Sequence, residues 1–297
     1  MDLSIIIISY NTKDYLKKCL TSVDEDLSQS TIKAEIIVVD NDSQDNSVKM
    51  VETKFPKVKL IKSKTNLGFG KANNLGAAKA KGKYLLFLNS DTQVGKNALS
   101  NMLSLAKDNN TDISSCRLLN TDGSIQPQGG FLPRLTNLAL WMLFIDDIPL
   151  INRLFKRYQE SRISFFESDQ HMGWLSGTAL LVKRISWQKL GGFDENIFMY
   201  GEDVDFCYQA KKRHMIIQYF NQPQITHHGQ KSGSSEGAVL GEYKGLLYVF
   251  KKHKSAWEML FLKLLLKTGA ILRIIIFGII RADVQKKKIY QKAFNLV

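Results

Sequence analysis

Four short stretches of this 297-residue chain carry the side chains best suited to chemistry. Two follow apolar runs: Val39-Asp40-Asn41-Asp42-Ser43 and Leu88-Asn89-Ser90-Asp91. A third is Gly201-Glu202-Asp203-Val204-Asp205, and the fourth is Thr226-His227-His228-Gly229. A single aspartate at a strand end commonly caps the next helix. Two, each set in an Asn/Asp/Ser cluster, make a ligand site the better reading. The carboxylates at 202–205 open a predicted helix, where the helix dipole alone would favour them. The neighbouring Phe198-Met199-Tyr200 and the upstream Trp174-Leu175-Ser176-Gly177 add aromatic groups beside glycine, which suits a sugar-shaped pocket. A histidine such as His227 is usually structural when read alone.

The elements that must position these groups are legible from the apolar pattern. Leu3–Ser9, Glu35–Val39, Val58–Ile61 and Tyr84–Leu88 are short apolar runs. The first, second and fourth fit strands buried on both faces of a parallel sheet. Segments of helical length separate them: Lys13–Leu27, Asp45–Lys54 and Gly70–Lys81. The alternation predicts an α/β fold with a doubly wound, mostly parallel sheet. Ligands bind such sheets beyond the carboxyl ends of the strands, so the clusters after Val39 and Leu88 would face one crevice. The stretch from Ser114 to Asp169 has no clear period and reads either as an extension of the core or as an acceptor-side region. Trp174–Lys183 reads as one strand, a helix begins near Glu202, and Ile216–Phe220 reads as a further strand.

Composition narrows the class. With 44% hydrophobic and 23% charged residues the chain is an ordinary globular protein. Its three cysteines, Cys19, Cys116 and Cys207, are widely spaced and odd in number. That favours a reducing compartment over a disulfide framework. The start, Met1-Asp2-Leu3, reads as a strand and not a signal peptide. The net charge of +13 is uneven. From Lys244 onward, twelve Lys or Arg face only Glu258 and Asp283, which leaves +3 for everything before. Trp257–Arg281 is strongly apolar, yet Lys263, Lys267 and Arg273 fall within about one third of a helix circumference. The longest uninterrupted apolar run there, Ile274–Ile280, is far short of a membrane span. A basic helix lying in a membrane interface is expected, with packing on the core as the alternative. Lys286-Lys287-Lys288 would add attraction to anionic lipid. No recognition motif accompanies the charge, so nucleic acid is not an expected partner.

The ordered set of motifs resembles glycosyltransferase family 2, in its bacterial rhamnosyltransferase-like branch. The matching elements are Ser9-Tyr10-Asn11, Val39 to Asp45, Asn66-Leu67-Gly68-Phe69-Gly70, Asn73 and Leu88-Asn89-Ser90-Asp91. They continue with Trp174-Leu175-Ser176-Gly177, Gly191-Gly192-Phe193-Asp194-Glu195 and Phe198 to Asp205. The resemblance covers about residues 3–235. It implies a GT-A fold, a nucleotide-sugar donor and inversion at the anomeric carbon. It implies that Asp40 contacts a uracil or thymine base, framed by Ser9 and Tyr10, with Asn66 and Asn73 bordering the nucleotide. Asn89-Ser90-Asp91 stands in for an Asp-x-Asp signature. Asp91 would then hold a divalent metal, Mn²⁺ or Mg²⁺, and Asn89 the ribose or a metal-bound water. Asp203 matches the general base. Glu202, Trp174 and Gly177 fall on the acceptor side, with either Glu202 or Asp205 serving structure. A histidine before Gly and Ser would complete the metal or diphosphate site, and spacing to Gly229 and Ser232 favours His227 over His228. One departure stands out. Cys207-Tyr208-Gln209 occupies positions where the branch usually has Arg, so that Lys211, Lys212 or Arg213 would have to substitute.

These readings imply an inverting, metal-dependent glycosyltransferase using a UDP- or dTDP-sugar, with rhamnose the sugar expected for the branch. The expected acceptor is a lipid-linked saccharide in surface polysaccharide assembly. The expected place is the cytoplasm, peripheral on the inner face of the bacterial membrane. The expected domains are a GT-A domain over residues 1–240, with a nucleotide-binding half (1–115) and an acceptor half (116–240). A basic, amphipathic helical tail that associates with membrane would span 241–297. A non-catalytic nucleotide-sugar binding module is the alternative. A nucleotidyltransferase is disfavoured because Ser9-Tyr10-Asn11-Thr12 is not a glycine-rich, Arg/Lys-bearing loop.

Overall fold

The computed structural model describes residues 1–149, 154–229 and 235–297. Its first part alternates regularly: β1 (Leu3–Ser9), α1 (Lys13–Ser28), β2 (Ala34–Asp40), α2 (Ser47–Lys54), β3 (Lys59–Lys62), α3 (Phe69–Ala77) and β4 (Tyr84–Asn89). There follow β5 (Thr92–Val94), α4 (Ala98–Asp108), β6 (Ile113–Leu119), β7 (Ile125–Gln126), β8 (Gly129–Gly130) and α5 (Leu135–Met142). Two 3₁₀ turns, Ile145–Asp147 and Ile163–Glu167, lead to β9 (Gln170–His171), β10 (Trp174–Leu175) and β11 (Ala179–Lys183). Then come α6 (Arg184–Leu190), α7 (Glu202–Lys212) and β12 (Ile217–His227). The chain ends with α8 (Ser235–His253), α9 (Ala256–Ile275), a π turn (Ile276–Ile280) and α10 (Val284–Leu296).

One ten-stranded sheet organises the molecule, its main path running β3-β2-β1-β4-β11-β6-β12-β5. Strands β3, β2, β1 and β4 are mutually parallel, whereas β11 is antiparallel to both β4 and β6. Alternate side chains of a strand point to opposite faces, and both faces here are buried. Ile5, Ile7, Leu86 and Leu88 enter one core, and Ile6, Leu85 and Phe87 enter the other. This is why β1 and β4 read as continuous apolar runs. The sheet is the doubly wound, mostly parallel one expected.

Two expectations change. The strand expected over 174–183 is broken into β10 and β11, because Ser176-Gly177-Thr178 leaves the sheet to line the site described below. The boundary expected at residue 240 falls inside α8, whose Tyr243, Leu246, Val249 and Phe250 are buried in the core. Gly245 lets this happen. A Cβ there would come within 2.6 Å of Tyr200 O and 3.0 Å of Gly201 Cα. α8 therefore lies directly against the N-terminus of α7.

Candidate active site

The chain leaves β1 towards β2 on one side, and β4 flanks β1 on the other. That reversal opens a crevice at the carboxyl ends of the strands. In register, Ser9 neighbours Asp40 and Ile8 neighbours Asn89. A cavity of about 570 Å³ occupies this end of the sheet. Tyr10, Asn66, Asn89, Asp91, Trp174, Gly177, Glu202, Asp203 and His227 all line it. Nine of the twelve residues singled out from sequence thus share one space.

The other three sit just behind the wall. Ser9 is fully buried and starts a hydroxyl chain, with Ser9 Oγ 3.2 Å from Thr12 Oγ1 and Thr12 Oγ1 2.9 Å from Ser90 Oγ. It ties the end of β1 to the loop carrying Asp91. Asn73 donates from Nδ2 to Phe69 O at 3.0 Å, within its own helix. Asp40 Oδ1 accepts from Ser43 N at 3.0 Å, while Asp40 Oδ2 is buried without a partner. An unsatisfied carboxylate oxygen of that kind is costly unless a donor arrives from elsewhere. Asn41, not singled out from sequence, shapes the same wall. Its Nδ2 donates to Asn66 Oδ1 at 2.9 Å, and its Oδ1 accepts from Leu67 N at 2.9 Å.

Asp91 and His227 meet across the sheet from different strand ends. His227 Nε2 lies 3.3 Å from Asp91 Oδ1, and Asp91 O accepts from His228 N at 2.9 Å. His227 Nδ1 is 2.8 Å from Gln126 Oε1. A proton on Nδ1 given to that oxygen leaves the Nε2 lone pair facing Asp91. Outer-shell partners of this kind fix the tautomer of metal-binding histidines. Two ligands at about 2.1 Å on adjacent positions of a hard cation lie roughly 3 Å apart, so the pair fits a divalent ion. Among the described residues, no three His, Cys, Asp or Glu side chains gather to hold one. Ser232, part of the spacing that favoured His227, lies outside the described residues.

Asp203 is fixed at the start of α7. Its Oδ2 accepts from Gly177 N at 3.1 Å and its Oδ1 from Val204 N at 2.8 Å. This explains the break between β10 and β11, because the exposed Gly177 N–H holds the carboxylate. A Cβ at Gly177 would lie 2.9 Å from the Phe69 ring, so a side chain would crowd this contact. Burial raises Asp203 above the usual carboxylate range, against the two N–H donors. Glu202 is raised by burial and then by the charge of Asp203, and its Oε2 is buried without a partner.

Sequence reasoning missed a third carboxylate. Glu242 of α8 enters the same cavity, where its Oε1 accepts from Tyr158 OH at 2.6 Å. Burial pushes its pKa up to about 7. Trp174 Nε1 donates to Tyr158 O at 2.8 Å, placing Trp174, Tyr158 and Glu242 in one connected wall. Asp205, by contrast, points away from the cavity. It accepts from His253 Nε2 at 2.6 Å, from Lys252 Nζ at 2.8 Å and from Gln209 Nε2 at 2.8 Å. Burial alone would raise it, but these donors hold it below the ordinary value. Asp205 is thus the structural member of the acidic cluster and latches α8 to α7.

The cavity's charge balance is one-sided. Asp91, Glu160, Glu202, Asp203 and Glu242 line it, and no Lys or Arg does among the described residues. Glu160 is neutralised by Arg162 at 2.6 Å. Lys211, Lys212 and Arg213, expected to substitute for a missing phosphate-binding Arg, do not reach the cavity. Lys212 Nζ instead sits 3.3 Å from His253 Nδ1.

A doubly wound sheet with a carboxylate-lined cavity at its switch point is the arrangement of a GT-A glycosyltransferase. The model of the family described as "Glycosyl transferase family 2" matches residues 4–159, and the chain belongs to that family. It falls in the rhamnosyltransferase-like branch. It is 26% identical over 272 residues to N-acetylglucosaminyl-diphospho-decaprenol L-rhamnosyltransferase of Mycobacterium tuberculosis, covering 86% of each chain. Among solved structures it resembles residues 1–349 of S. aureus TarS in complex with UDP-GlcNAc. The TM-score is 0.59 at 19% identity, over 99% of this chain and 79% of that one. It also resembles GalNAc-T7 with UDP, GalNAc and Mn²⁺, with a TM-score of 0.62 at 15% identity, over 99% and 55% of the two chains.

Proposed function

We propose that this glycosyltransferase inverts configuration in a single displacement, with Asp203 as the base and a divalent metal at Asp91 and His227. One observation carries the reading: the same cavity is bounded by the Asp91–His227 pair and by Asp203, with no lysine or arginine among its described lining residues. The carboxylates that line this space repel a diphosphate. Mn²⁺ or Mg²⁺ held there would neutralise the diphosphate and the charge that builds on it as it leaves.

The chain's own residues supply the rest. Asp40 Oδ2 takes the imide N–H of uracil or thymine, satisfying its buried oxygen, while Tyr10, Asn66 and Asn89 frame the nucleotide. Ser9 and Asn73 support that wall from behind. Asp203 removes the proton from an acceptor hydroxyl as that oxygen bonds to the anomeric carbon and the bond to the diphosphate breaks. Products are the inverted glycoside and a nucleoside diphosphate. Glu202, Trp174 and Gly177 form the acceptor side. Residues 1–115 act as the donor half, and 116–240 together with α8 as the acceptor half. The relative named for a lipid-diphosphate acceptor supports a lipid-linked saccharide as acceptor and rhamnose as the sugar. The enzyme would then work in surface polysaccharide assembly, peripheral on the cytoplasmic face of the membrane, with residues 254–297 meeting the lipid.

The test is a donor screen. Purified protein with Mn²⁺ or Mg²⁺ is heated with UDP, dTDP, GDP or CDP. Stabilisation by UDP or dTDP, lost on chelation and in Asp91→Ala, is the expected result. A response indifferent to metal overturns the Asp91 assignment. Donor binding without transfer or hydrolysis, across a broad acceptor panel, would instead identify a non-catalytic module.

A further inference from the structure

Helix α9 has two apolar faces, and only one is used inside the protein. Leu262, Leu266, Gly269, Ala270 and Arg273 are buried. Trp257, Leu260, Phe261, Leu264, Ile271 and Ile275 are exposed, Leu260 by 68% and Leu264 by 61%. At 3.6 residues per turn the exposed six lie within an arc of about 100°, opposite the buried set. Ile279 and Ile280 extend the row through the π turn, exposed by 76% and 73%. No helix among the described residues is long and apolar enough to cross a membrane.

Arg273 does not belong to a basic stripe, contrary to the pattern read from sequence. It is buried and donates from Nη1 to Met142 O at 2.9 Å and from Nη2 to Trp141 O at 3.3 Å. These are last-turn carbonyls of α5, where the helix dipole favours a cation. Arg273 also stacks over Phe144, 4.3 Å from the ring centre. It staples α9 to the catalytic core, so the exposed row is held on a fixed platform. Lys263 and Lys267 border that row on one flank, by the same helical arithmetic. At the row's far end the stem of Lys287 passes over Gly278, and Lys286 and Arg281 sit 4.8 and 5.6 Å from the Phe277 ring.

We infer that the outer face of α9, from Trp257 to Ile280, is the surface on which this enzyme docks to an anionic phospholipid bilayer. The apolar row inserts at the headgroup boundary, and the lysines beside it meet lipid phosphates. The inference rests on the reading above of a lipid-linked acceptor, and it deepens that reading. α9 is joined to α8, whose Glu242, Gly245, Leu246 and Val249 line the active-site cavity. Docking through α9 therefore fixes the cavity relative to the lipid surface.

The experiment uses the full chain and sedimentation with vesicles of phosphatidylcholine, with and without 30% phosphatidylglycerol. Wild type is expected to bind the anionic vesicles, with a blue shift of Trp257 fluorescence that Trp257→Phe abolishes. Leu260→Gln with Leu264→Gln is expected to weaken binding by about tenfold per residue. Lys286→Glu with Lys287→Glu should remove the preference for anionic vesicles. Wild type that stays in the supernatant, or double variants that bind as wild type, overturns the inference. So does light scattering that shows a dimer abolished by Leu260→Gln with Leu264→Gln, since the face would then be covered by a second copy. Stabilisation by UDP or dTDP should be unchanged in every variant, so a failure of the donor-site reading is seen separately.

Discussion

Replacing Asp203 by Asn separates the base from the fold that holds it. Asp203 accepts two backbone N–H bonds, from Gly177 and Val204. Asn keeps one acceptor oxygen, so one bond of about 1 kcal/mol is lost. The variant also sheds a buried carboxylate whose ionisation the fold opposes, so net stability should change little. The chemical step is different. Removing a positioned base costs about 10²–10⁴ in rate, or roughly 3–5 kcal/mol of barrier. Nucleoside diphosphate release in the presence of acceptor should therefore fall by that factor, while thermal stabilisation by donor nucleotide is retained. The pH profile adds a second readout. A base must be unprotonated to act, and burial raises Asp203, so activity should fall with decreasing pH at a value above the ordinary aspartate range. Burial and the charge of Asp203 push Glu202 up to about 8, so Glu202 is neutral where Asp203 titrates and Glu202→Gln should leave the acid limb in place. If Asp203→Asn keeps more than about a tenth of the activity, the assignment of the base is wrong.

Other expectations follow from the same geometry. Gln126→Ala should weaken Mn²⁺ affinity by about 10–100-fold, measured by calorimetry with UDP or dTDP present, because it frees the His227 ring. An unchanged affinity would show that Gln126 does not orient a ligand. Glu242, with a pKa near 7 against 4.5, contributes stability in full below about pH 4.5 and loses it as pH rises through 7. Glu242→Gln keeps an acceptor for Tyr158 and should therefore be more stable than wild type at pH 8, by up to about 3 kcal/mol, with the gap closing towards pH 4.5. Asp205→Asn should lower stability by about 3 kcal/mol in denaturant titration, since it strips His253 and Lys252 of a buried partner. Lys252 keeps Asp194 at 2.6 Å, which sets the loss below that for complete isolation.

The parts of this molecule legible in its sequence are those governed by local pattern. β1 and β4 are buried on both faces, so Leu3–Ser9 and Tyr84–Leu88 read as unbroken apolar runs. Polar side chains that follow the strand ends reach the crevice, and Asn89 and Asp91 line the cavity there. The parts that escaped depend on contacts between distant segments. Gln126 reaches His227 across 101 positions, and Tyr158 reaches Glu242 across 84. Neither residue carries a local signal of its role. The split of β10 from β11 is of the same kind, since a residue 26 positions further on holds the Gly177 N–H. Arg273 shows the limit of periodicity. Angular position alone groups it with Lys263 and Lys267, but the carbonyls of Trp141 and Met142 at the end of α5 draw it inward.

Gly241 and Gly245 were the available clue to what lies beyond residue 240. Two glycines four apart on a helix mark a face where another backbone approaches closely. Here Gly245 meets the Tyr200-Gly201 backbone and Gly241 meets the Tyr200 side chain, and Gly201 has a φ of +105°, which disfavours a side chain at that point too. The consequence is chemical as well as architectural. With no side chain on Gly245 or Gly201 between them, α8 brings Glu242 into the cavity lined by Asp203, and the Asp205–Lys252–His253 latch holds it there. The C-terminal helices are therefore part of the active site at one end and carry the exposed apolar face at the other. A truncation after residue 240 would remove both at once, so loss of activity in such a variant says nothing about membrane binding. Only substitutions on the outer face of α9, which leave Glu242 and the latch intact, can distinguish the two roles.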